Sequence, residues 1–206
     1  MIIEKKLFGL PKFQLAKMIT KDQFKEIAKG ASQETIDKFY DPLIVTLDKY
    51  QINSKLKIAH FLAQILHESV NLGVLAEAGW LSEAKRKAYY LKMYKGRTSI
   101  IPNEDSPIST WYFGRGAIQT THDYNYRSYG KYIEKEEALM ADPSLLEKDP
   151  YYAMDSAGYF WFKTDLNVYA AQDNLLKITK IINGGTNGLD DRAEKLDRAK
   201  KVLGLL

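Results

Sequence analysis

The strongest constraint on the fold is a single broad apolar face within residues 55–68. Its apolar residues recur three and four positions apart, which is the helical spacing: Ile58, Phe61, Leu62, Ile65 and Leu66. Ser54 can cap such a helix at its N-terminus, and the breadth of the face predicts that the helix lies centrally in the fold. Glu68 falls in the last turn, because Asn71 and Gly73 follow and predict a helix end.

Five further segments carry helical signals. They are a capping box at Thr20-Lys21-Asp22-Gln23 opening a helix through Ala28, a Ser32-capped helix to Lys49, a helix beginning at Asp149-Pro150, a helix opened by Asp173 that stops at Asn183, and a last helix from about Asp190 to Val202. Residues 97–111 are rich in turn formers and predict a loop. At most a small hairpin is expected between Tyr94 and Gln119. We therefore predict a mainly α fold in one domain, residues 1–206, with residues 1–18 as an irregular lead-in.

Composition excludes several classes of protein. The chain has 206 residues, 45% of them hydrophobic and 27% charged, which is typical of a soluble globular protein. It has no cysteine and three histidines, so we expect neither a disulfide scaffold nor a metal site. The net charge of +4 comes without a dense basic stripe, which argues against nucleic acid as a partner but suits an anionic polymer such as a bacterial cell wall.

Membrane insertion and export are not expected either. No window reaches the ~18–20 apolar residues that a membrane span needs. Charged residues interrupt the segment Met1–Phe8 before an apolar signal-peptide region forms. We therefore expect synthesis in the cytoplasm without a signal peptide.

Two carboxylates stand out as candidates for catalysis. Glu68 lies in the motif His67-Glu68-Ser69, and Glu77 follows nine residues later. Paired carboxylates flank the scissile bond in glycoside hydrolysis, and an inverting pair lies roughly 6.5–9.5 Å apart. A continuous helix would put Glu77 ~13.5 Å along the axis from Glu68, so the pairing requires a turn at Asn71–Gly73. Glu104 or Asp105, in the predicted loop, is the alternative second carboxylate.

A glycine-flanked polar strip with aromatic residues, Phe113–Tyr126, is the second chemical motif. Its sequence is Phe113-Gly114-Arg115-Gly116-Ala117-Ile118-Gln119-Thr120-Thr121-His122-Asp123-Tyr124-Asn125-Tyr126. Polar groups and aromatic faces together are typical of a surface that binds a sugar. The strip and the carboxylate pair together predict a glycoside hydrolase.

Four segments in order resemble glycoside hydrolase family 19, the chitinase-like group of the lysozyme superfamily, and most closely its phage endolysin branch. These segments are His67-Glu68-Ser69; Gly114–Thr121 with Tyr124-Asn125-Tyr126; Asp142-Pro143 through Asp149-Pro150 into Ala157–Trp161; and Ile181–Leu189 with Arg192. The resemblance covers residues 55–206. It implies a lysozyme-like α-helical fold with two lobes around a glycan cleft, inversion at the anomeric carbon, and no metal or other cofactor.

The resemblance also implies roles for matching residues. Glu68 matches the general acid, Glu77 the base that activates water, and Thr121 the hydroxyl that helps to hold that water. The predicted substrate-binding residues are His67, Gln119, Tyr124, Asn125, Asn183 and Arg192.

Simpler interpretations of several residues stay open. Glu68 and Glu77 could be ordinary surface charges, and Tyr124 could be packing material. Arg192 could pair with Asp190 or Glu194 on the last helix, and the segment Asn183–Gly185 could be no more than a helix C-cap.

The predicted function is that of an endolysin-type hydrolase cleaving β-1,4 bonds of bacterial peptidoglycan. Its partners would be the glycan strands, and it would act on them as a monomer. It would reach the cell wall after a separate membrane-permeabilising protein releases it from the host cytoplasm. The alternatives are a chitinase, a lytic transglycosylase, and a non-catalytic glycan-binding or virion module on the same fold.

Overall fold

In a computed structural model of the chain, residues 18–206 are described, so the predicted lead-in falls outside them apart from Met18. The described residues form eleven α-helices and one short 3₁₀ helix, Ile108–Thr110. The α-helices are α1 Lys21–Ile27, α2 Gln33–Lys49, α3 Lys55–Glu68, α4 Glu83–Met93, α5 Asp123–Tyr132, α6 Glu136–Ala141, α7 Leu145–Lys148, α8 Pro150–Lys163, α9 Leu166–Ala171, α10 Leu175–Asn183 and α11 Leu189–Val202. The predicted mainly α fold class is confirmed.

The predicted starts of α1, α2 and α3 are correct, and each has a side-chain cap, from Thr20, Ser32 and Ser54. The Thr20 hydroxyl accepts from the Gln23 N–H at 3.2 Å, and the Gln23 side chain accepts from the Thr20 N–H at 2.9 Å. The Ser54 hydroxyl accepts from the Lys57 N–H at 3.3 Å. One start is wrong: α10 is capped by Asn174, whose side chain accepts from Lys177, and not by Asp173.

Helices α4, α5, α6, α7 and α9 were not predicted. Helix α4 buries Tyr90 within a sequence of many charged residues, so it has no apolar face of the usual kind. Helix α5 buries Tyr126, Tyr129 and Gly130 instead of aliphatic residues. The possible hairpin is absent from the described residues, which have only two isolated bridges there, from Ala76 to Arg115 and from Arg115 to Thr120.

The chain divides into two compact units. Of the described residues, 18–64 and 161–206 form one unit, and 65–160 form the other. In the first unit, α1 packs against α2 and α11, and Phe61 meets Trp161 edge to face with ring centroids 5.3 Å apart. No helix within residues 18–206 is long and apolar enough to cross a membrane.

The second unit has two aromatic-rich clusters. The first contains Ala76, Tyr90, Ile100, Ile101, Ile108, Trp111 and Phe113. The second contains Tyr112, Tyr126, Tyr129, Leu139 and Leu146. Tyr90 of the first cluster donates to the Glu77 carbonyl, and the strip contributes Phe113 to the first cluster and Tyr126 to the second, so both candidate motifs contact packed aromatic rings.

A buried histidine in the first unit belongs to an ionic network. The Nε2 of His60, on α3, lies 2.7 Å from an Asp173 carboxylate oxygen, and the Lys200 ammonium donates to the other oxygen at 2.6 Å. Burial lowers the pKa of His60 below its ordinary value, although Asp173 acts in the opposite direction. The neutral imidazole is therefore the form that the folded chain favours.

This network predicts that stability falls with acidification near pH 6.5. Because the folded-state pKa of His60 lies below the unfolded value of about 6.5, the unfolded chain binds more protons in that window. The stabilisation is thus complete above pH ~6.5 and is lost as pH falls towards the folded-state pKa. Urea unfolding between pH 7.5 and 5 should show this decline, and His60→Gln should flatten it. An equally steep decline in the variant would contradict the assignment to His60.

Candidate active site

The chain reverses direction immediately after Glu68, the last residue of α3. The Ser69 hydroxyl donates to the Ile65 carbonyl at 2.6 Å and accepts from the Leu72 N–H at 2.9 Å. The Asn71 N–H donates to the Leu66 carbonyl at 2.8 Å, as in a helix-terminating motif. The turn that the pairing of Glu68 with Glu77 requires is therefore present.

The turn forms at the predicted residues Asn71–Gly73 and begins one residue earlier, at Val70. Val70, Asn71 and Leu72 adopt left-handed conformations, with φ of 49°, 55° and 64°, which are unusual for residues other than glycine. Gly73 serves by its small size, since a Cβ there would lie 3.2 Å from the Val70 carbonyl oxygen. The glycine thus allows a close approach of two backbone segments.

Backbone pairing brings Glu77 to the polar strip. The Glu77 N–H donates to the Gly114 carbonyl at 2.8 Å, and the Gly116 N–H donates to the Leu75 carbonyl at 2.9 Å. Arg115 pairs on its other side with Thr120, through N–H to carbonyl bonds of 3.1 and 2.8 Å. Three short backbone segments therefore lie side by side, with the predicted base at their edge.

Three tyrosines of α4 and its C-cap hold Glu77. The Tyr94 hydroxyl donates to the Glu77 carboxylate, 2.7 and 2.8 Å from its two oxygens, and the Tyr89 hydroxyl donates to it at 3.1 Å. The Gly114 N–H lies 3.4 Å from the second carboxylate oxygen, and the Tyr90 hydroxyl donates to the Glu77 carbonyl. Sequence reasoning missed these tyrosines, although Tyr90 and Tyr94 have the four-residue spacing of one helix face.

The electrostatics keep these phenols protonated. Burial, and then the hydrogen bond to Glu77, raise the pKa of Tyr94. Burial raises the pKa of Tyr90 to about 12. Both hydroxyls therefore stay hydrogen-bond donors to Glu77 across the physiological pH range.

Gly114 contacts both Glu77 and the later residues of the strip. A Cβ on Gly114 would lie 2.9 Å from the Gln119 side-chain oxygen and 3.4 Å from the Thr121 hydroxyl, so a larger residue would displace the Gln119 side chain. The Thr121 hydroxyl donates to the Gln119 carbonyl at 2.9 Å, and the Asn125 side chain donates to the Thr121 carbonyl at 2.9 Å. The structure thus brings Glu77, Gln119, Thr121 and Asn125 together.

The strip's arginine is structural. Arg115 is fully buried, its Nε donates to Glu147 at 3.1 Å, and its guanidinium lies 3.6 Å from the centroid of the Phe113 ring. It also donates to the carbonyls of Trp111 and Ile108. Arg115 therefore fixes the strip to the preceding loop and does not belong to a sugar-binding surface.

Tyr124 is an exposed aromatic platform beside the strip. It is 57% exposed and stacks on the His122 ring, with centroids 5.0 Å apart and planes 12° from parallel. The Nδ1 of His122 lies 3.0 Å from the Ser99 hydroxyl, which fixes the ring. The packing alternative is therefore wrong for Tyr124, whereas Tyr126 and Tyr129 are buried.

The remaining predicted residues lie in other surroundings. Glu104 and Asp105 are both exposed in the loop before the 3₁₀ helix. Asn183 is exposed at the end of α10, where Gly184 forms the C-cap. Arg192 is buried in the first unit and donates to Gln64 of α3.

The exposure of Arg192 bears on its interpretation as part of a surface ion pair. Arg192 is 1% exposed, so its guanidinium does not lie in an exposed ion pair on the last helix. His67, which precedes Glu68 on α3, is half-buried. Within residues 18–206, no group of three histidine, aspartate or glutamate side chains converges to hold a metal ion.

The hydroxyl of Tyr94 has a testable role in placing Glu77. Tyr94→Phe should lower kcat about tenfold or more, because a hydrogen bond to a charged group contributes ~1.5–3 kcal/mol. Steady-state kinetics on a soluble glycan would measure this, with Tyr151→Phe, at an exposed tyrosine of α8, as the matched control. A folded Tyr94→Phe enzyme with unchanged kcat would rule out the role.

Comparison with known proteins identifies the family. The family model described as Chitinase class I, for glycoside hydrolase family 19, matches residues 41–178, more than half of the chain. A family 19 domain-containing protein of Haemophilus influenzae is 28% identical over 183 residues, which cover 79% of this chain and 88% of that protein. The endochitinase of Pisum sativum is 27% identical over 186 residues, which cover 73% of this chain and 54% of that protein.

The fold comparison agrees. Chitinase C from Streptomyces griseus has a TM-score of 0.68 at 23% identity, over 91% of this chain and 77% of that chain. The fold is thus that of a lysozyme-like, mainly helical glycoside hydrolase. The chain belongs to glycoside hydrolase family 19, and it spans about half the length of the pea enzyme.

Proposed function

We propose that this chain cleaves β-1,4 bonds of peptidoglycan glycan strands, in the manner of an endolysin, with inversion at the anomeric carbon. The observation that carries the proposal is the placement of Glu77, which accepts hydrogen bonds from Tyr89 and Tyr94 across a tight chain reversal from Glu68. A carboxylate fixed by donors beside a polar strip suits a base that takes a proton from water.

In the proposed reaction, Glu68 donates its proton to the glycosidic oxygen as the bond from that oxygen to the anomeric carbon breaks. A water molecule attacks the opposite face of the sugar, and Glu77 takes a proton from this water. Thr121 helps to hold the water, since its hydroxyl lies in the shell around Gly114 that also contains Glu77. The products are a reducing sugar of inverted configuration and a free hydroxyl on the leaving sugar. The proposed substrate contacts are His67, Gln119, Tyr124, Asn125, Asn183 and Arg192.

Two features support peptidoglycan as the substrate. The net charge of +4 favours an anionic polymer, and the motif pattern around Glu68 and Gly114 resembles that of phage endolysins. Because peptidoglycan lies outside the cytoplasmic membrane, the proposal includes synthesis in the host cytoplasm and a separate membrane-permeabilising protein that gives access to the wall.

Chitin is the second candidate substrate. Relatives of this chain include the endochitinase of Pisum sativum, and a structural neighbour is chitinase C from Streptomyces griseus. Both polymers carry β-1,4-linked N-acetylglucosamine, so the same carboxylate pair could act on either of them.

The deciding experiment is mass spectrometry of the soluble products released from purified peptidoglycan and, in parallel, from chitin hexasaccharide. Muropeptides with reducing ends would support the proposal, and the mass of the terminal sugar would show which bond is cut. Anhydro ends would indicate a transglycosylase. Activity on chitin alone would indicate a chitinase. Binding without any product would indicate a non-catalytic module.

A further inference from the structure

Trp80 is largely exposed to solvent, whereas the other two tryptophans are buried. Trp111 and Trp161 are 0% exposed, whereas Trp80 is 73% exposed. The buried pair use their indole N–H groups, Trp111 towards Asn103 at 3.0 Å and Trp161 towards Asn167 at 3.0 Å. Among residues 18–206, Trp80 has no hydrogen bond or ring contact. Tryptophan is on average highly buried in folded proteins, so this position keeps a large apolar ring in water.

The backbone fixes Trp80 to the same rigid segment as Glu77. The Gly79 N–H donates to the Ala76 carbonyl at 2.9 Å, and the Leu81 N–H donates to the Ala78 carbonyl at 3.0 Å, which makes two overlapping turns. Glu77 stands in the first turn and Trp80 in the second. They are three positions apart in the sequence, so their Cα atoms lie within ~10 Å of each other.

The second turn depends on a buried anchor and on a glycine. Ala78 is buried and left-handed, with φ of 52°. A Cβ on Gly79 would lie 2.8 Å from the Ala76 carbonyl oxygen, so a larger residue would displace the turn. The segment therefore presents the indole to solvent from a fixed position next to the candidate base.

We propose that Trp80 is a carbohydrate-stacking platform, which binds one sugar ring of the glycan whose bond is cut by Glu68 and Glu77. This inference rests on the proposed function. A pyranose ring of a β-1,4 glycan has a face of C–H groups, and such a face packs on the electron-rich face of an indole. Among residues 18–206, no cation lies over the indole and no polar group is hydrogen-bonded to it, so its face is open to a sugar.

The platform acts by binding and not by chemistry. An interaction that is equal in the ground state and the transition state changes KM and leaves kcat alone. Trp80→Ala should therefore raise KM about tenfold, with kcat within about twofold of the parent enzyme. Tyr151→Ala removes another ring that is half-exposed, on α8, and serves as the matched control.

Fluorescence can report on Trp80 directly, since the other two tryptophans are shielded from a dissolved quencher. We would titrate the full chain carrying Glu68→Gln with chitin hexasaccharide and with soluble peptidoglycan strands. Acrylamide quenching would follow the exposure of Trp80, and calorimetry would measure glycan binding independently. The expected result is protection from quenching that saturates with binding, together with an approximately tenfold weaker affinity in Trp80→Ala and an unchanged affinity in Tyr151→Ala.

Three results would overturn the inference, and they are distinguishable. Glycan binding without protection, with equal affinity in Trp80→Ala, would remove Trp80 from the site and leave the proposed function standing. The absence of both binding and hydrolysis on either glycan would overturn the proposed function as well. Protection that depends on protein concentration without glycan would assign Trp80 to contact with a second copy of the chain.

Discussion

Replacing Glu68 with glutamine is expected to lower turnover ~10²–10⁴-fold while leaving glycan binding and folding intact, because the amide keeps the shape of the side chain but cannot donate the proton. The loss should be in kcat, since the proton is transferred only as the glycosidic bond breaks. The rate of clearing of a peptidoglycan suspension measures turnover, and thermal melting followed by circular dichroism measures folding.

The control for this substitution is Glu137→Gln, at an exposed carboxylate on α6. It makes the same chemical change on a solvated surface and should leave the clearing rate unchanged. If the Glu68→Gln protein clears peptidoglycan as fast as the parent, Glu68 is not the acid, and the chemistry must lie elsewhere in the chain.

Glu77 is the candidate base, and its substitution is also expected to lower turnover strongly. Glu77→Gln should lower turnover ~10²–10⁴-fold, because the amide cannot accept the proton of the attacking water. The loop variants Glu104→Gln and Asp105→Asn should remain within about twofold of the parent, since both carboxylates are exposed and only Glu77 contacts Gly114 and the tyrosines of α4.

Measuring the three variants side by side decides between the two interpretations of the pair. Loss of activity in a loop variant, with activity kept in Glu77→Gln, would move the base into the loop before the 3₁₀ helix. Proton NMR of the first-formed product adds a separate check, because an inverting pair releases the α-anomer from a β-linked glycan.

Local signals explain which parts of the fold could be predicted. Helices α2 and α3 combine aliphatic residues at helical spacing with a serine cap, and both features can be recognised within one short window. Helix α4 lacks them: its one fully buried residue is Tyr90, and its Ser82 N-cap makes no side-chain hydrogen bond. Its stability depends on packing against Trp111 and Phe113, which are distant in sequence.

In the candidate site, too, some residues could be predicted from local signals and others could not. Glu68 and Glu77 could be found from their spacing and their motif, but the hydroxyls that hold Glu77 come from the helix that was missed. The turn after Glu68 was predicted at Asn71–Gly73 from local residues, and local hydrogen bonds within residues 65–74 hold Val70, Asn71 and Leu72 in left-handed conformations. Arg115 was predicted within a polar surface, although Glu147 neutralises it in the interior from 32 residues away. The tyrosines that hold Glu77 and the carboxylate that pairs with Arg115 were missed because each partner lies more than ten residues away in the sequence.

The support of Glu77 by phenol hydroxyls has a consequence for how such an enzyme can change. Glu68 is carried by the backbone of α3 itself, while Glu77 sits in a turn and depends on side chains of α4. A tyrosine-to-phenylalanine exchange removes one hydroxyl and almost nothing else from a packed aromatic cluster. The hydrogen bonding of Glu77, the proposed base, can therefore be changed in separate small steps by point mutations in α4 that keep both carboxylates and helix α3 unchanged.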